Sequence, residues 1–446
     1  MNAPSKLEAQ CPNPDANLEK TSESTNSVPD ADGSISYPRK CGAIGSDVWN
    51  RADQCSTDSK IAIEARKFFG VVDWHALALI ATSCRDGIQC NYVDADGFSV
   101  GQFNMVRRLD FIDGVRWVAR VRLPPGATPV SPAARGHYDD RREFEVEIAS
   151  IKFFKSKSTI PVPEVFYYDP NPSNHVGAPY MLLEYIHGST AEDLQEIENS
   201  ALGMFGTPEQ DRKLRQQMAK IQAQLLAFQF PKIGSLYYDK ETESFYIGPD
   251  IITGNGPWMS SADYYRDLTD VLMKEAAARQ YLNPEHNTYF CAPILLNHLM
   301  SICSKDDKGP YSLVNRDFGV HNILVDNDFN IVGVIDLGGV FAATPEAAAQ
   351  YPVLSCLDIE PPGMIPINHD ALQRVELKKP KLAEYREWLM KYEAEFRNSN
   401  STISSLVGSQ GAVIYYGLDS CSEARGFQTK TWFSSALVML KEYTEA

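Results

Sequence analysis

Three oxygen-bearing side chains in the second half of the chain, Asp317, Asn322 and Asp336, have the spacing of a divalent-metal site. Asn322 precedes the apolar run Ile323-Leu324-Val325, and Asp336 ends a second apolar run, 331–335, beyond a turn rich in Asn and Asp. Two β-branched runs around such a turn predict a β-hairpin. Because the hairpin is antiparallel, its open end brings Asn322 beside Asp336, with Asp317 just upstream. Side-chain oxygens suit Mg²⁺, which also binds phosphates.

The spacing itself points to a reaction class. An Asp followed five residues later by an Asn, and by a further Asp after a hairpin, is the catalytic-loop arrangement of enzymes that transfer phosphoryl groups. Asp and Asn are also common in hairpin turns, so the competing interpretation is that these residues only form turns and bind no metal. The N-terminal half of the chain has to decide between the two.

The length of the chain and its net charge indicate how many lobes it has and which kinds of partner it can bind. A chain of 446 residues suits two lobes with extensions. The formal net charge of −16 disfavours general binding to nucleic acid or to an anionic membrane surface, and it is compatible with a cationic substrate. We therefore expect a small-molecule partner, with no nucleic acid and no membrane. The oligomeric state is not readable from the sequence.

The cysteine pattern bears on the compartment. The nine cysteines are scattered and contain no C-x2-C pair, which is typical of reduced thiols in an intracellular protein. No apolar run approaches the ~18 residues that a membrane span requires. The N-terminus lacks the apolar segment of a signal peptide, and its acidic residues disfavour a transit peptide. These features predict a cytoplasmic protein.

Composition and periodicity divide the chain into three parts. Residues 1–58 are rich in Ser, Pro, Asn and Asp, which predicts a disordered segment. Residues 59–186 read as a β-rich, nucleotide-binding N-lobe that begins with helical stretches and includes a helix from Glu143 to Phe154. Its best strand signals are two runs, 103–109 and 116–123, joined by an Asp-Gly hairpin turn.

Residues 187–446 read as a mainly helical C-lobe that carries the catalytic loop and the acceptor site. Thr207, Pro208 and Gln210 have the spacing of a helix start, with Thr as the N-cap and Gln three residues later. Further helices are predicted over residues 262–280, 292–303, 372–396 and 432–443. The fold class is therefore α+β: a bilobal, protein-kinase-like arrangement with a β-rich N-lobe and a mainly helical C-lobe.

Two glycines open the nucleotide half of the site. Gly97 and Gly101 flank a loop between predicted strands, where glycine lets backbone amides approach phosphates closely. An ordinary turn is the alternative for this pair. Glu184 and Ile186 lie in the segment between the lobes, where extended backbone offers N–H and C=O groups to adenine. Apolar strand core is the alternative there.

Arg120 follows Trp117, Val118 and Ala119 in a position typical of a phosphate-anchoring lysine. On an inward-facing strand position, its cation pairs with phosphates and with a carboxylate on the next helix, for which Glu147 is the best candidate. The alternative is an exposed charged strand face, because arginines at 116, 120 and 122 share one side of a strand.

With these pieces in order, the chain resembles the aminoglycoside phosphotransferase/choline kinase-like branch of the protein-kinase fold, and within it a large fungal set of uncharacterised members. The likeness runs from about residue 77 to residue 345. It rests on Gly101-Gln102-Phe103-Asn104, Trp117-Val118-Ala119-Arg120, Ile160-Pro161-Val162-Pro163, Ile233-Gly234-Ser235-Leu236 and the stretch from Asp317-Phe318-Gly319 to Asp336.

The resemblance implies ATP and Mg²⁺ as cofactors and transfer of a phosphoryl group to a hydroxyl of a small molecule. Asp317 would be the general base, Asn322 and Asp336 would hold Mg²⁺, and Arg120 with Glu147 would anchor the phosphates. Acidic residues of the C-lobe would be available to an acceptor, although ordinary solvated helix charges explain most of them; they are Glu192, Asp193, Asp263 and Asp267.

The chain departs from the family pattern at a few positions. Asn315 stands where the family usually has His, Arg120 stands where Lys is usual, and Leu337-Gly338-Gly339 replaces the aromatic and acidic residues that often follow the metal-binding Asp. These differences leave open a second interpretation, a nucleotide-binding pseudokinase with a scaffolding or regulatory role. A kinase for protein substrates is disfavoured because the nearest match to an Ala-Pro-Glu signal, Thr344-Pro345-Glu346, begins only eight residues after Asp336.

Overall fold

The N-terminal lobe is built on an antiparallel sheet. The computed structural model describes residues 60–91, 98–101, 103–124, 140–196, 204–282, 293, 297, 307–357, 369–396 and 403–422. The strands of the lobe are β1 (Cys90–Asn91), β2 (Phe98–Val100), β3 (Asn104–Phe111), β4 (Arg116–Arg122), β5 (Val165–Asp169) and β6 (Tyr180–Glu184). They follow the order β1-β3-β4-β6-β5, with β2 on β3. The predicted Asp-Gly hairpin is confirmed as the β3–β4 pair.

Three helices accompany this sheet: α1 (Lys60–Val71), α2 (Trp74–Ser83) and α3 (Asp140–Lys157). Helices α1 and α2 pack on the sheet in one core, to which Phe68, Leu77 and Met105 contribute. The predicted helix over 143–154 is confirmed within α3. The apolar face of α3 packs in a second, larger core that also contains residues of the C-lobe, since Phe144 and Phe154 are buried there.

The C-lobe carries helices α4 (Pro208–Ala227), α5 (Ser261–Leu282), α6 (Pro345–Ala348), α7 (His369–Phe396), α8 (Ile403–Leu406) and α9 (Gln410–Ser422). Its strands are β7 (Ser189–Thr190), β8 (Gln195–Glu196), β9 (Met204–Phe205), β10 (Gln229–Phe230), β11 (Gly234–Asp239), β12 (Ser244–Gly248), β13 (Tyr311–Asn315), β14 (Ile323–Val325), β15 (Ile331–Val334) and β16 (Val340–Ala343).

The C-lobe also holds a five-stranded sheet in the order β10-β13-β16-β11-β12, which the sequence did not reveal. In it, β13 pairs with β16 from Ser312↔Ala343 to Asn315↔Val340. Strand β13 leads directly into Asp317. The segment that carries Asp317, the predicted catalytic loop, is therefore anchored on a sheet.

Helix α4 begins as the sequence predicts. Thr207 accepts from the backbone N–H of Gln210, and the Gln210 side chain accepts from the backbone N–H of Thr207, which completes a capping box. Leu214 and Met218 of its apolar stripe are fully buried. The stripe is core, as expected from its helical spacing.

Several predicted segments fall beyond the described part of the chain. Residues 1–58 and the predicted helix over 432–443 lie outside it, and of the predicted helix over 292–303 only residues 293 and 297 are described. The helices predicted over 262–280 and 372–396 are confirmed as α5 and α7. Within the described ranges, no helix combines the length and the apolar character that crossing a bilayer requires.

Candidate functional site

A β-hairpin positions the proposed metal-binding residues. Ile323 pairs with Val334 in the β14–β15 register, and the N–H of Ile335 donates to the carbonyl of Asn322 at 3.0 Å. The hairpin predicted from the sequence is confirmed. Its open end brings Asn322 next to the residue that precedes Asp336.

Asp317 is held through both of its carboxylate oxygens. Oδ1 lies 2.9 Å from Nε2 of His321, and Oδ2 accepts from Nδ2 of Asn322 at 3.0 Å. The side chain is 26% exposed, so it remains accessible to a reactant. Two contacts on the two oxygens fix the plane of the carboxylate, as a positioned general base requires.

Asn315 connects the two ends of the site. Its Nδ2 donates to the backbone carbonyl of Asp336 at 3.2 Å, and its Oδ1 accepts from the backbone N–H of Asp317 at 3.2 Å. Asp336 has a φ of 59°, a left-handed conformation that is uncommon for a residue with a side chain. Asn315 therefore connects the predicted catalytic loop with Asp336, the residue of left-handed backbone that ends the hairpin.

Close packing explains why glycines occupy positions 338 and 339, shortly after Asp336. A Cβ added at Gly338 would lie 2.8 Å from Cγ of Glu143, and one added at Gly339 would lie 2.8 Å from Oδ1 of Asn315. Larger side chains at either position would force their neighbours apart. The departure from the family pattern at these positions thus matches close packing around the site.

Arg120 lies at the centre of a buried polar network. Its guanidinium forms an ion pair with Glu147 of α3, and Nη2 donates to Oδ1 of Asp336 at 3.0 Å. With the amide oxygen of Asn104 facing Arg120, that oxygen accepts from Nε at 3.0 Å and from Nη2 at 2.7 Å. Arg120 thus meets the carboxylate chosen from the sequence and, in addition, a proposed metal ligand.

For each of the two carboxylates that contact Arg120, those of Glu147 and Asp336, burial raises the pKa and the positive charge of Arg120 lowers it. Burial raises the pKa of Glu147 above the usual range of a glutamate, against the lowering effect of Arg120 and with the support of the nearby charges of Asp336 and Glu143. The pKa of Asp336 is lowered: burial would raise it, but the charge of Arg120 and its hydrogen bond outweigh burial. Asp336, whose side chain is 39% exposed, holds its charge more readily than the buried Glu147, and both carboxylates contact the guanidinium of Arg120.

The alternative of an exposed arginine face fails for two of the three strand arginines. Arg120 and Arg122 are 9% and 5% exposed, and Arg122 forms an ion pair with Glu143. Arg116 is half-buried and lies 3.5 Å from Asp110. Inside a protein, cations at such positions need carboxylate partners, and α3 supplies two of them.

Of the remaining predicted nucleotide-binding residues, Gly101 lies between β2 and β3, and Glu184 and Ile186 lie at and just after the end of β6. Gly97 falls outside the described residues, and the N–H of Gly101 donates to the carbonyl of Asn104 at 2.9 Å, closing the β2–β3 turn. Glu184 ends β6, and its carboxylate accepts from the N–H of Glu164 at 3.0 Å. Ile186 follows that strand, half-buried between the lobes. Their contacts with a nucleotide stay predictions.

The donor set at the hairpin fits Mg²⁺. Because the amide nitrogen of Asn322 donates to Asp317, its oxygen faces away, and Oδ2 of Asp336 is the oxygen not bonded to Arg120. Within the described ranges, no group of three or more His, Cys, Asp or Glu side chains has metal-binding geometry. Two protein oxygens completed by phosphate and water suit Mg²⁺, which is rarely held by an all-protein cage.

The acidic residues considered for an acceptor are used locally instead. Asp263 accepts from Ser260 and Arg266 at 2.8 Å each, and Asp267 accepts from Nε1 of Trp258 at 2.7 Å. Asp193 bonds the hydroxyl of Thr190. Glu192 lies in the same 3₁₀ turn as Asp193. These contacts favour a structural role for the group.

Two features of the site escaped the sequence reasoning. One is His321, which lies between Asp317 and Asn322 in the chain, and whose position next to the predicted metal ligand Asn322 was the available signal. The other is the buried pair of Arg316 and Asp250, joined at 2.5 Å and separated by more than sixty residues, with Arg316 also stacked 3.5 Å from the centre of the Phe341 ring. No local pattern connects these partners.

Sequence relatives come from fungi. The chain is 30% identical over 158 residues to a subtelomeric hrmA-associated cluster protein of Aspergillus fumigatus, a match that covers 33% of this chain and 27% of that protein. It is 30% identical over 161 residues to altered inheritance of mitochondria protein 9 of Zygosaccharomyces rouxii, covering 33% of this chain and 25% of that protein. The matched region thus spans about a quarter of each relative.

The prediction of a cytoplasmic location is wrong by this comparison. Relatives from five yeasts, at 26–30% identity, carry the name altered inheritance of mitochondria protein 9, mitochondrial. Scattered cysteines and an acidic N-terminus do not separate the cytoplasm from other reducing compartments.

Solved structures with a similar chain path include aminoglycoside phosphotransferases. A thermostable mutant of APH(4)-Ia in ternary complex with ADP and hygromycin B has 13% identity and a TM-score of 0.43, covering 82% of this chain and 98% of that one. The gentamicin complex of APH(2")-IIa has 13% identity and a TM-score of 0.38, covering 79% and 97%.

The family assignment rests on the sequence itself. The sequence model of the phosphotransferase enzyme family (APH) matches residues 106–346, more than half of the chain. That range begins in β3, two residues after Asn104, and includes Arg120, the catalytic loop and Asp336. The chain belongs to the phosphotransferase enzyme family.

Proposed function

We propose that the protein transfers the γ-phosphoryl group of ATP, with Mg²⁺, to a hydroxyl group of a small-molecule acceptor. The observation that carries this proposal is the convergence of Asp317, Asn322, Asp336 and Arg120 at the open end of one hairpin. A simple turn needs no buried arginine on another lobe to contact its final Asp. Family membership supports the same reaction class.

The proposed step is an in-line displacement at the γ-phosphorus. The acceptor oxygen forms a bond to that phosphorus while the bond to the oxygen bridging the β- and γ-phosphates breaks, and ADP leaves with the bridging oxygen. The hydroxyl proton passes to Asp317. His321 and Asn322 hold the carboxylate for this transfer, and positioning of this kind accounts for much of catalysis in phosphoryl transfer.

The proposed metal site consists of the amide oxygen of Asn322 and Oδ2 of Asp336. When bound, Mg²⁺ supplies positive charge that neutralises the phosphate oxygens. Asn315 holds the backbone of Asp336 in its left-handed conformation, so the carboxylate stays aimed at the cleft. Arg120 holds the other oxygen of the same carboxylate at 3.0 Å.

On the nucleotide side, Arg120 and Glu147 form the proposed phosphate-anchoring pair. Gly97 and Gly101 would border the phosphates, and the backbone around Glu184 and Ile186 would face adenine. The buried ion pair with Glu147 supports an anchoring role for Arg120, because the carboxylate fixes the position of the guanidinium.

A second candidate function rests on one observation. Arg120 contacts Asp336 directly, so a cation already lies against a proposed metal ligand. If this contact persists when nucleotide binds, it would be consistent with a pseudokinase, which binds nucleotide without transferring phosphate. Both candidates bind nucleotide, and only the phosphotransferase transfers phosphate to an acceptor.

The test combines a binding and a turnover measurement on the full chain. Thermal-shift titration with ATP and Mg²⁺ measures binding, and ADP release across a panel of hydroxyl compounds measures transfer, with Asp317→Asn as the catalytic control. We expect stabilisation by ATP with Mg²⁺ and acceptor-dependent ADP that the control lacks. Stabilisation without ADP above that control, for every acceptor, would favour the pseudokinase. Absence of any stabilisation would remove both candidates.

A further inference from the structure

A cavity of ≈ 110 Å³ lies against the catalytic loop within the C-lobe. Asn315, Arg316 and Phe318, which surround Asp317 in the chain, form one part of its wall. Helix α6, the segment 350–353 and helix α9 form much of the remainder. The cavity is therefore one residue removed from the proposed general base.

The wall of this cavity is largely carbon. Its apolar surface comes from residues that include Leu225, Phe318, Phe341, Val353, Tyr415 and Tyr416, and its lining contains neither Asp nor Glu. A site for a polycationic sugar would need carboxylates to pair with its ammonium groups. This wall suits an uncharged, apolar group.

Three of the polar side chains in the wall, those of Gln222, Gln350 and Tyr351, are engaged by protein partners, and the charged side chain of the wall, Arg316, pairs with Asp250. Nε2 of Gln222 donates to the carbonyl of Gln350 at 2.8 Å, and Nε2 of Gln350 donates to the carbonyl of Glu346 at 2.6 Å. The hydroxyl of Tyr351 donates to the carbonyl of Leu382 at 3.3 Å. Because these groups are bonded, the cavity presents mainly aromatic and aliphatic surface.

The size of the cavity sets the size of the group. An apolar cavity of roughly 150 Å³ in a protein core stays dry and accepts benzene. The cavity here, at ≈ 110 Å³, is of the same order and holds about one six-membered ring. Three residues of its wall, Val353, Tyr415 and Tyr416, are half-buried and so are also partly exposed to solvent.

The cavity is linked to the catalytic loop through the backbone. The N–H of Val353 donates to the carbonyl of Phe318 at 3.0 Å, and Val353 forms a parallel bridge with Gly319. A group bound beside Val353 therefore touches the segment that carries Asp317. A hydroxyl attached to such a group by a short linker would be placed near the general base.

We propose that this cavity binds the ring of the acceptor, so that the acceptor is a hydroxyl compound with one aromatic or compact alicyclic ring and not a polycationic sugar. This inference rests on the proposed function for the transfer step. The ring-binding site itself is independent of it. The step remains the displacement described above, with the ring serving only to hold the hydroxyl.

The binding test uses phenol as the ring probe and kanamycin as the polycationic comparison, each titrated calorimetrically into the full chain without nucleotide. We expect saturable binding of phenol and none of kanamycin. Ala348→Leu fills the cavity from α6 and should weaken phenol binding roughly tenfold or more. Ala227→Leu is the matched control, because Ala227 is half-buried at the end of α4 and lies outside the cavity wall.

A second variant keeps the test decisive if Ala348→Leu fails to fold. Val353→Ala enlarges the cavity, so the affinity for the larger 2-naphthol should rise several-fold relative to the affinity for phenol. A change of this size corresponds to about 1 kcal/mol or less of differential binding. Phenol binding that neither variant alters, or no phenol binding at all, would overturn the ring site.

The transfer test uses benzyl alcohol, 2-phenylethanol and kanamycin as acceptors, with ATP binding measured separately. Phosphorylation of the ring alcohols that Ala348→Leu abolishes and Ala227→Leu retains would support the acceptor assignment. Phosphorylation of kanamycin alone would overturn it while leaving the phosphotransferase function in place. If ATP with Mg²⁺ does not bind, the acceptor assignment fails with the proposed function, and the phenol titration still decides the ring site.

Discussion

Nε2 of His321 lies 2.9 Å from Oδ1 of Asp317, and this contact joins the proposed general base to the turn that carries Asn322. His321 and Asn322 are consecutive residues of one 3₁₀ turn, Val320–Asn322. They engage the two carboxylate oxygens of Asp317 separately. The proposed base and the proposed metal-binding amide are therefore positioned by the same short segment.

The first prediction concerns His321 as a positioning residue. His321→Phe removes the contact with Oδ1 of Asp317 and lets the carboxylate rotate, so kcat should fall by about 10²-fold, the cost of a small misplacement of a catalytic group. The KM for ATP should change little, because the nucleotide is held by other residues. Steady-state kinetics with separated kcat and KM measure this, and His321→Gln, which keeps a donor, should recover part of kcat.

His75 provides the control for this prediction, since it is an exposed histidine on α2. His75→Phe should leave both kinetic parameters unchanged. If His321→Phe raised KM for ATP and left kcat intact, the histidine would serve nucleotide binding, and its positioning role would be wrong.

The second prediction concerns the buried network around Arg120. Arg120→Met leaves Glu147, which is 2% exposed, without its cation, so the free energy of unfolding should fall by about 3–5 kcal/mol. Adding Glu147→Gln removes the stranded carboxylate, and the double variant should be less destabilised than the sum of the single variants. Urea denaturation followed by circular dichroism measures the four proteins of this cycle.

Arg141 offers the comparison pair on the same helix, because it contacts Glu145 at 3.1 Å on the exposed face of α3. Arg141→Met should cost about 0.5 kcal/mol or less, as exposed ion pairs do. Equal losses for Arg120→Met and Arg141→Met would mean that burial does not strengthen the network, contrary to this prediction.

The hairpin and its three polar residues were predictable because they are local. Asn322 and Asp336 flank two β-branched runs, and the chain geometry of a hairpin alone brings them together. The helix start at Thr207 was readable for the same reason, since N-cap, Pro and Gln stand within four residues. Patterns of this kind do not depend on distant parts of the fold.

The five-stranded sheet of the C-lobe and the Arg316–Asp250 pair were not predictable. Strand β16 has four residues, and it pairs with β13 and β11, which lie far away in the chain. Short apolar runs do not distinguish strand from helix, and no periodicity marks which strands pair. Likewise, an arginine and an aspartate more than sixty residues apart carry no signal that they will meet.

The third prediction concerns the capping box of α4. Thr207→Ala removes the side-chain oxygen that accepts from the N–H of Gln210, and it should lower the free energy of unfolding by about 1 kcal/mol. Thr207→Ser keeps the acceptor and should cost only a few tenths of that. Chemical denaturation of the three proteins measures the difference. Identical losses for the two variants would show that the threonine methyl, and not the cap, stabilises the helix.

The fourth prediction concerns the metal-binding hairpin. Asp336→Asn keeps a side chain that tolerates the φ of 59° but removes the charge, so turnover should fall by at least about 10²-fold. Asn322→Ala should reduce turnover less, because a neutral amide gives a cation less stabilisation than a carboxylate does. Raising Mg²⁺ or Mn²⁺ should partly restore Asn322→Ala. Initial rates at increasing metal concentration measure both effects.

Asp328→Asn is the matched control, because Asp328 is exposed in the turn at the far end of the same hairpin. This variant should keep the turnover and the metal dependence of the parent protein. Asp336→Asn should also keep its fold, since Arg120 retains Glu147 and Asn104 as partners when one oxygen contact weakens. If Asn322 and Asp336 only punctuated a turn, their variants would lower the melting temperature and leave the affinity for ATP with Mg²⁺ unchanged. That pattern would contradict the metal site and, with it, the proposed transfer of phosphate.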